Sequence, residues 1–282
     1  MVLALLCIFA AGCNETKEDK LPSAEAYINR GGNHYQKGQY EQAGSDFSKA
    51  IEINPRYAEA YVNRGAAYSK LYMDDMAILD FNKAIEINPR YAKAYFNRGI
   101  IYGKSKGQYD RAVSDFSKAI EINPKYAEAY TNRGNTYLSQ NQYDQAITDY
   151  DKAIEINPSL AEAYNNRGIA YGKGKRQYGK AIQDFSKAIE INPAYAEAYT
   201  NRGVVYGNEG QYDKAVSDFN KAIEVNPVYA DAYINKALIC EKTRRIREAV
   251  EAYKGFIQYA PPRYTSYIEY SRERLRKLEA SR

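Results

Sequence analysis

The chain has 282 residues, 45% of them hydrophobic and 27% charged, with a formal net charge of +5. Its single histidine and three cysteines (Cys7, Cys13 and Cys240) leave little room for a metal cluster or a disulfide framework. Residues 241–282 hold 11 Lys/Arg against 6 Asp/Glu, a balance of +5, so the preceding stretch is neutral; nucleic acid is not the expected main partner.

Val2 to Ala11 is an apolar run of ten residues, too short to cross a bilayer as a helix. Ala10, Ala11 and Gly12 lead into Cys13, and the polar stretch Asn14–Lys20 follows. An apolar segment ending in small residues reads as a secretory signal. With the cysteine directly after Ala-Ala-Gly, it is similar to a bacterial lipoprotein signal. That resemblance implies removal of residues 1–12, lipidation of Cys13 and a flexible tether over 13–22. It also implies membrane attachment through the lipid. Asn14, where an Asp would signal retention at the inner membrane, implies an outer-membrane lipoprotein facing the periplasm. A cleaved signal without lipid (a periplasmic or secreted protein) and an ordinary apolar N-terminus stay open.

From Ala24 onward one cassette repeats. In Ala196–Pro227, Ala196, Tyr199, Gly203 and Tyr206 recur at steps of 3 and 4, which lines them along one helical face. Ala215, Phe219 and Ala222 do the same in a second helix, Gly210 and Tyr212 mark the turn between, and Pro227 ends the unit. Gly203 costs helix propensity, which predicts close approach of the two backbones. Prolines stand at 55, 89, 124, 158, 193, 227 and 261, spaced by 34 or 35 residues, the mark of a solenoid.

The cassette resembles the tetratricopeptide repeat (TPR). Tyr199, Gly203, Tyr206, Ala215, Phe219, Ala222 and Pro227 stand at repeat positions 4, 8, 11, 20, 24, 27 and 32, as in that family. Seven units match: 24–55, 58–89, 92–124, 127–158, 161–193, 196–227 and 230–261. The resemblance implies an all-α, right-handed α-solenoid of seven helical hairpins over 23–262. A capping helix is expected over 263–282, with Tyr264, Tyr267, Ile268, Leu275 and Leu278 on one face.

The units differ in detail. Repeat 1 has His34 in place of Tyr, read as a packing or edge residue. Repeat 2 carries Tyr72 and Asp74 where the others have Gly and Tyr at the turn. Repeats 3 and 5 gain one residue within Lys104–Gly107 and Lys173–Arg176, both basic. In repeat 7, Ala237, Cys240 and Phe256 replace Gly, Tyr and Ala, and Cys240 reads as an inert buried thiol.

Two ladders run through the units. Position 6 is Asn29, Asn63, Asn97, Asn132, Asn166, Asn201 and Asn235. Asn is a mediocre helix former, so its repetition needs a cause, and its amide can donate and accept. Bonding to the next repeat is one reading. The other is a peptide-binding row on the concave face, as in the asparagine ladder of the O-linked N-acetylglucosamine transferase superhelix, which this row resembles. Position 7 is Arg30, Arg64, Arg98, Arg133, Arg167 and Arg202, with Asp46, Asp80, Asp115, Asp149, Asp184 and Asp218 at position 23. In repeat 7 both change, to Lys236 and Ala252, which predicts Arg–Asp pairing. On that basis Arg133→Leu is expected to be tolerated better than Asp149→Leu, which strands a cation.

No nucleophile–base set, metal cluster or phosphate loop is present in the sequence, so an enzyme is not expected and neither is a cofactor. The chaperone-tail clamp of some TPR proteins fails residue by residue, because no unit has Lys at position 5. The expectation is a protein- or peptide-binding scaffold of the bacterial envelope, using the concave groove. The alternative is a polyanion binder (nucleic acid or acidic lipid) using the basic turns and the C-terminal helix. Self-association is a third possibility.

Overall fold

The computed structural model describes residues 22–280. The expected signal over 1–12, Cys13 and all but the last residue of the tether lie outside the described residues. No helix among the described residues is long and apolar enough to cross a membrane. The described chain is all-helical and falls into two compact units, divided between Ile87 and Asn88.

The first unit holds two hairpins: α1 (Ala24–Gln36) with α2 (Tyr40–Ile53), and α3 (Ala58–Lys70) with α4 (Asp74–Ile87). The second holds five: α5 (Ala92–Lys104) with α6 (Tyr109–Ile122), α7 (Ala127–Ser139) with α8 (Tyr143–Ile156), α9 (Ala161–Ile169) with α10 (Tyr178–Ile191), α11 (Ala196–Asn208) with α12 (Tyr212–Val225), and α13 (Ala230–Lys242) with α14 (Ile246–Tyr259). It ends in a 3-10 turn, Pro262–Tyr264, and α15 (Thr265–Ala280). Within each unit a second helix packs on the first helix of the next hairpin.

The Asn-Pro dipeptide sets each junction. Proline forces the residue before it out of the α region, and Asn54, Asn123, Asn157 and Asn192 are extended accordingly. Their side chains then accept from the backbone N–H two residues on, at 3.1 Å in all four, the bond of an Asx turn. Inside each hairpin the chain reverses through one left-handed residue: Gly38, Gly107 and Gly210 in three turns, and Tyr72, Asn141, Arg176 and Arg244 in the others. The turn of repeat 2 thus keeps its shape without glycine, at the conformational cost a side chain bears there. The extra residue of repeat 5 is absorbed by a π-helical turn, Ala170–Gly174, that extends α9.

The two helices of a hairpin lock through position 8 against position 24. A Cβ on Gly203 would stand 2.7 Å from Phe219 Cε1, and one on Gly134 2.8 Å from Tyr150 Cε1. The close approach predicted at Gly203 is therefore an aromatic ring on bare backbone. Repeat 7, with Ala237 at position 8, moves its glycine elsewhere. Gly255 there admits the Tyr233 ring, to which a Cβ would stand at 2.4 Å, while Phe256 is fully buried.

The cap differs from expectation at one residue. Tyr264, Ile268, Leu275 and Leu278 join the core of α13 and α14, but Tyr267 is 55% exposed. It shares an apolar hollow with Ile234, Leu238 and Tyr270. Cys240 is fully buried, and burial raises its thiol pKa, as an inert core residue requires.

Candidate functional site

Arginine at position 7 pairs with aspartate at position 23 of the same hairpin in all six units that carry both. Arg133 donates from Nε to Asp149 Oδ2 at 2.8 Å and from Nη2 to Oδ1 at 2.7 Å, a bidentate fork. Its third arm, Nη1, reaches Ser117 Oγ of the preceding hairpin at 2.9 Å. Arg167 and Arg202 repeat the arrangement with Asp151 and Ser186 as third partners. The tyrosines at positions 4 and 11 flank the guanidinium: Arg98 Cζ lies 5.6 Å from the Tyr95 ring and 5.8 Å from Tyr102. Much of the tyrosine content therefore lines a half-buried charge ladder rather than the core proper. The ladder is occupied internally and offers no free guanidinium row to a ligand.

Burial is uneven across the pair. The Asp149 side chain is 6% exposed and that of Arg133 19%. From sequence alone, stranding the cation ranks as the worse loss; burial reverses that order, because the carboxylate is the deeper charge.

In the first unit the Arg30 hydrogen bonds hold the Asp46 carboxyl below its ordinary value of 3.8, outweighing the upward push of desolvation. A carboxyl lowered in the folded state adds stability above its unfolded pKa and loses it as pH falls through the folded one. The stability gap between wild type and Asp46→Asn should therefore shrink as pH is lowered from about 5 to about 2.5, followed by circular dichroism melts of the full chain. A gap that stays constant over that range would remove the pair from the acid limb.

The asparagine ladder divides. In the first unit Asn29 is exposed and Asn63 half-buried, and in the second Asn97, Asn132, Asn166, Asn201 and Asn235 are half-buried. Asn132 and Asn235 donate back to their own helix, to Glu128 O at 2.8 Å and Asp231 O at 2.7 Å. Asn166 Nδ2 donates to Asn135 Oδ1 of the preceding repeat at 2.8 Å, and Asn201 Nδ2 to Asn165 Oδ1 at 3.0 Å. Those two are struts. Asn29, Asn63 and Asn97 bond to no other described residue.

The struts belong to a network that sequence reasoning missed. Tyr150 OH donates to Asn135 Oδ1 at 2.9 Å, Asn135 Nδ2 to Glu162 at 3.1 Å, and the fully buried Asn165 to Asn166 Oδ1 at 3.0 Å. Burial, with Glu162 adding to it, raises the Tyr150 phenol and keeps it a donor. The available signal was a pair of departures in one repeat: Tyr150 where five units have Phe, and Asn135 at position 9.

Several basic residues cited for polyanion binding are already paired. Lys175 meets Asp144 at 2.7 Å, Arg274 meets Glu241, and Lys277 meets Glu273. His34 Nδ1 lies 2.7 Å from Gln39 Oε1, at the edge of the first hairpin.

Tetratricopeptide repeat profiles match residues 58–91, 81–114, 196–229 and 230–262, and TPR repeat profiles match 31–71, 104–140, 134–174 and 175–210. The chain belongs to the tetratricopeptide repeat family. No curated protein matches it in sequence. Among solved structures it is similar to YrrB, described as a TPR protein with an unusual peptide-binding site. The identity is 27%, over 66% of this chain and 95% of YrrB, with a TM-score of 0.54. MamA is 28% identical over 62% of this chain and 94% of its own, with a TM-score of 0.52. A TPR protein from Parabacteroides merdae shares the fold at 21% identity, covering 91% of this chain and 98% of its own, with a TM-score of 0.67. The TPR fold and these neighbours make the chain an interaction scaffold in kind.

Proposed function

We propose that this TPR protein is a non-catalytic scaffold of a bacterial cell envelope that grips a peptide or protein segment along the first-helix face of a unit. The observation that carries the reading is the set of unsatisfied amides on first helices, Asn29 and Asn63 in one unit and Asn97 in the other. Each is a donor–acceptor pair suited to an extended backbone, whose N–H and C=O groups need partners whatever its sequence. The peptide-binding site named for YrrB supports a peptide ligand. The apolar run Val2–Ala11 ahead of Cys13 supports an envelope location with lipid on Cys13.

The test is a crosslinking pull-down from native host membranes with wild type and with Asn29→Ala/Asn63→Ala/Asn97→Ala. These three asparagines brace nothing, so circular dichroism should show equal folding. A partner captured by wild type and lost in the variant is the expected result; equal capture would move the interface off this face. Cys13→Ser should abolish incorporation of labelled palmitate, and incorporation that persists would remove the lipid from Cys13.

A further inference from the structure

Repeat position 12 is glycine in three units, Gly103, Gly172 and Gly207, and carries a side chain in the others, Leu138 in repeat 4 among them. Crowding does not demand the first two. A Cβ on Gly103 would stand 3.5 Å from Ala112 Cβ, and one on Gly172 3.7 Å from Ala181 Cβ, both ordinary contacts. What these glycines leave is room.

A cleft of about 280 Å³ opens over Gly103 between α5 and α7, and one of about 240 Å³ over Gly172 between α9 and α11. The two are built from equivalent positions two repeats apart. Ile100, Tyr109 and Phe116 wall the first, and Ile169, Tyr178 and Phe185 the second. Gly207 supplies the internal comparison. There Ile239 Cδ1 comes within 3.1 Å of where a Cβ would be. The shorter Thr136 and Val205 hold that repeat position at the two open clefts. Both volumes fall below the roughly 300–1,000 Å³ of small-molecule sites, a size for one side chain each.

The rims are cationic. Lys104 lines the first cleft, Lys173 and Arg176 the second, all three exposed. None is in an ion pair with another described residue, and no carboxylate lines either cleft. Resting on the reading that the first-helix face takes a peptide, we propose that the clefts are matched subsites for one extended acidic segment. That segment seats a large apolar side chain in each cleft and turns its carboxylates to the rim cations. First helices packed about 8–10 Å apart put the clefts roughly 16–20 Å apart. At about 3.3 Å per extended residue, the two anchors are five or six residues apart.

The test uses the full chain and a random displayed library of peptides about 15 residues long, enough to span both clefts. Wild type should enrich peptides with two large apolar residues at that spacing among Asp and Glu. Gly103→Leu/Gly172→Leu fills the clefts with the residue repeat 4 already carries at Leu138, and should weaken those peptides about tenfold or more. Lys104→Glu/Lys173→Glu should weaken them comparably. Enriched peptides that bind the Leu-filled variant as tightly as wild type overturn the subsites. If those peptides are nonetheless lost on Asn97→Ala, the groove reading survives alone. Indifference to charge reversal overturns the acidic ligand. A library that enriches nothing overturns both readings together.

Discussion

Arg133→Leu should destabilise the protein by about 3–5 kcal/mol, the range for removing one partner of a buried ion pair. It leaves the nearly inaccessible Asp149 carboxylate without its bidentate donor. Asp149→Leu should cost less, about 1–3 kcal/mol. Arg133 then keeps Ser117 and the Tyr130 ring, 5.6 Å away, and its long side chain can reach water. The double variant Arg133→Leu/Asp149→Leu should recover most of the loss, since replacing a buried pair by apolar residues is often neutral. Denaturant titrations of all three by circular dichroism give the order. If Asp149→Leu proves the more damaging single change, the carboxylate is not the deeper charge in solution.

Phe219→Ala should cost about 3–5 kcal/mol, because the ring is 1% exposed and leaves a cavity. Its interest lies in Gly203. In the wild-type background Gly203→Ala drives a methyl into the ring at 2.7 Å and should cost about 1–3 kcal/mol. In the Phe219→Ala background the ring is gone, and the same substitution should stabilise by about 0.5–1 kcal/mol through helix propensity. The sign of one substitution thus reverses with its neighbour, and a double-mutant cycle reads the coupling directly. A Gly203→Ala effect of equal sign in both backgrounds would separate the two positions.

Most of the fold was legible because it is periodic. Pro at position 32, Gly at 8 and the aromatic at 24 each do one local job repeated seven times or nearly so, and each job shows in spacing alone. The Arg–Asp ladder was legible for the same reason, through joint presence and joint loss. What was not legible depends on which side of a helix a residue turns to. Burial ranks Asp149 above Arg133, and no spacing encodes that. Tyr267 sits on the apolar pattern of α15 yet stays exposed over the hollow it shares with Ile234 and Leu238 of α13. The clefts were hidden because an absence of side chain at Gly103 and Gly172 acquires meaning only beside Thr136 and Val205.

The amide chain through repeats 4 to 6 bears on a hazard peculiar to such a sequence. Units this alike present almost interchangeable faces, so a hairpin folding early can dock on the wrong neighbour, a known failure of repeat chains. Asparagine occupies position 9 only in repeat 4 and position 5 only in repeat 5. Asn166 finds its acceptor only when repeat 4 lies before it, and Asn201 only when repeat 5 does. A transposed hairpin would lose those inter-repeat bonds, each worth about 0.5–1.5 kcal/mol. The network thereby acts as an address, helping to tell closely similar blocks the order in which they stand.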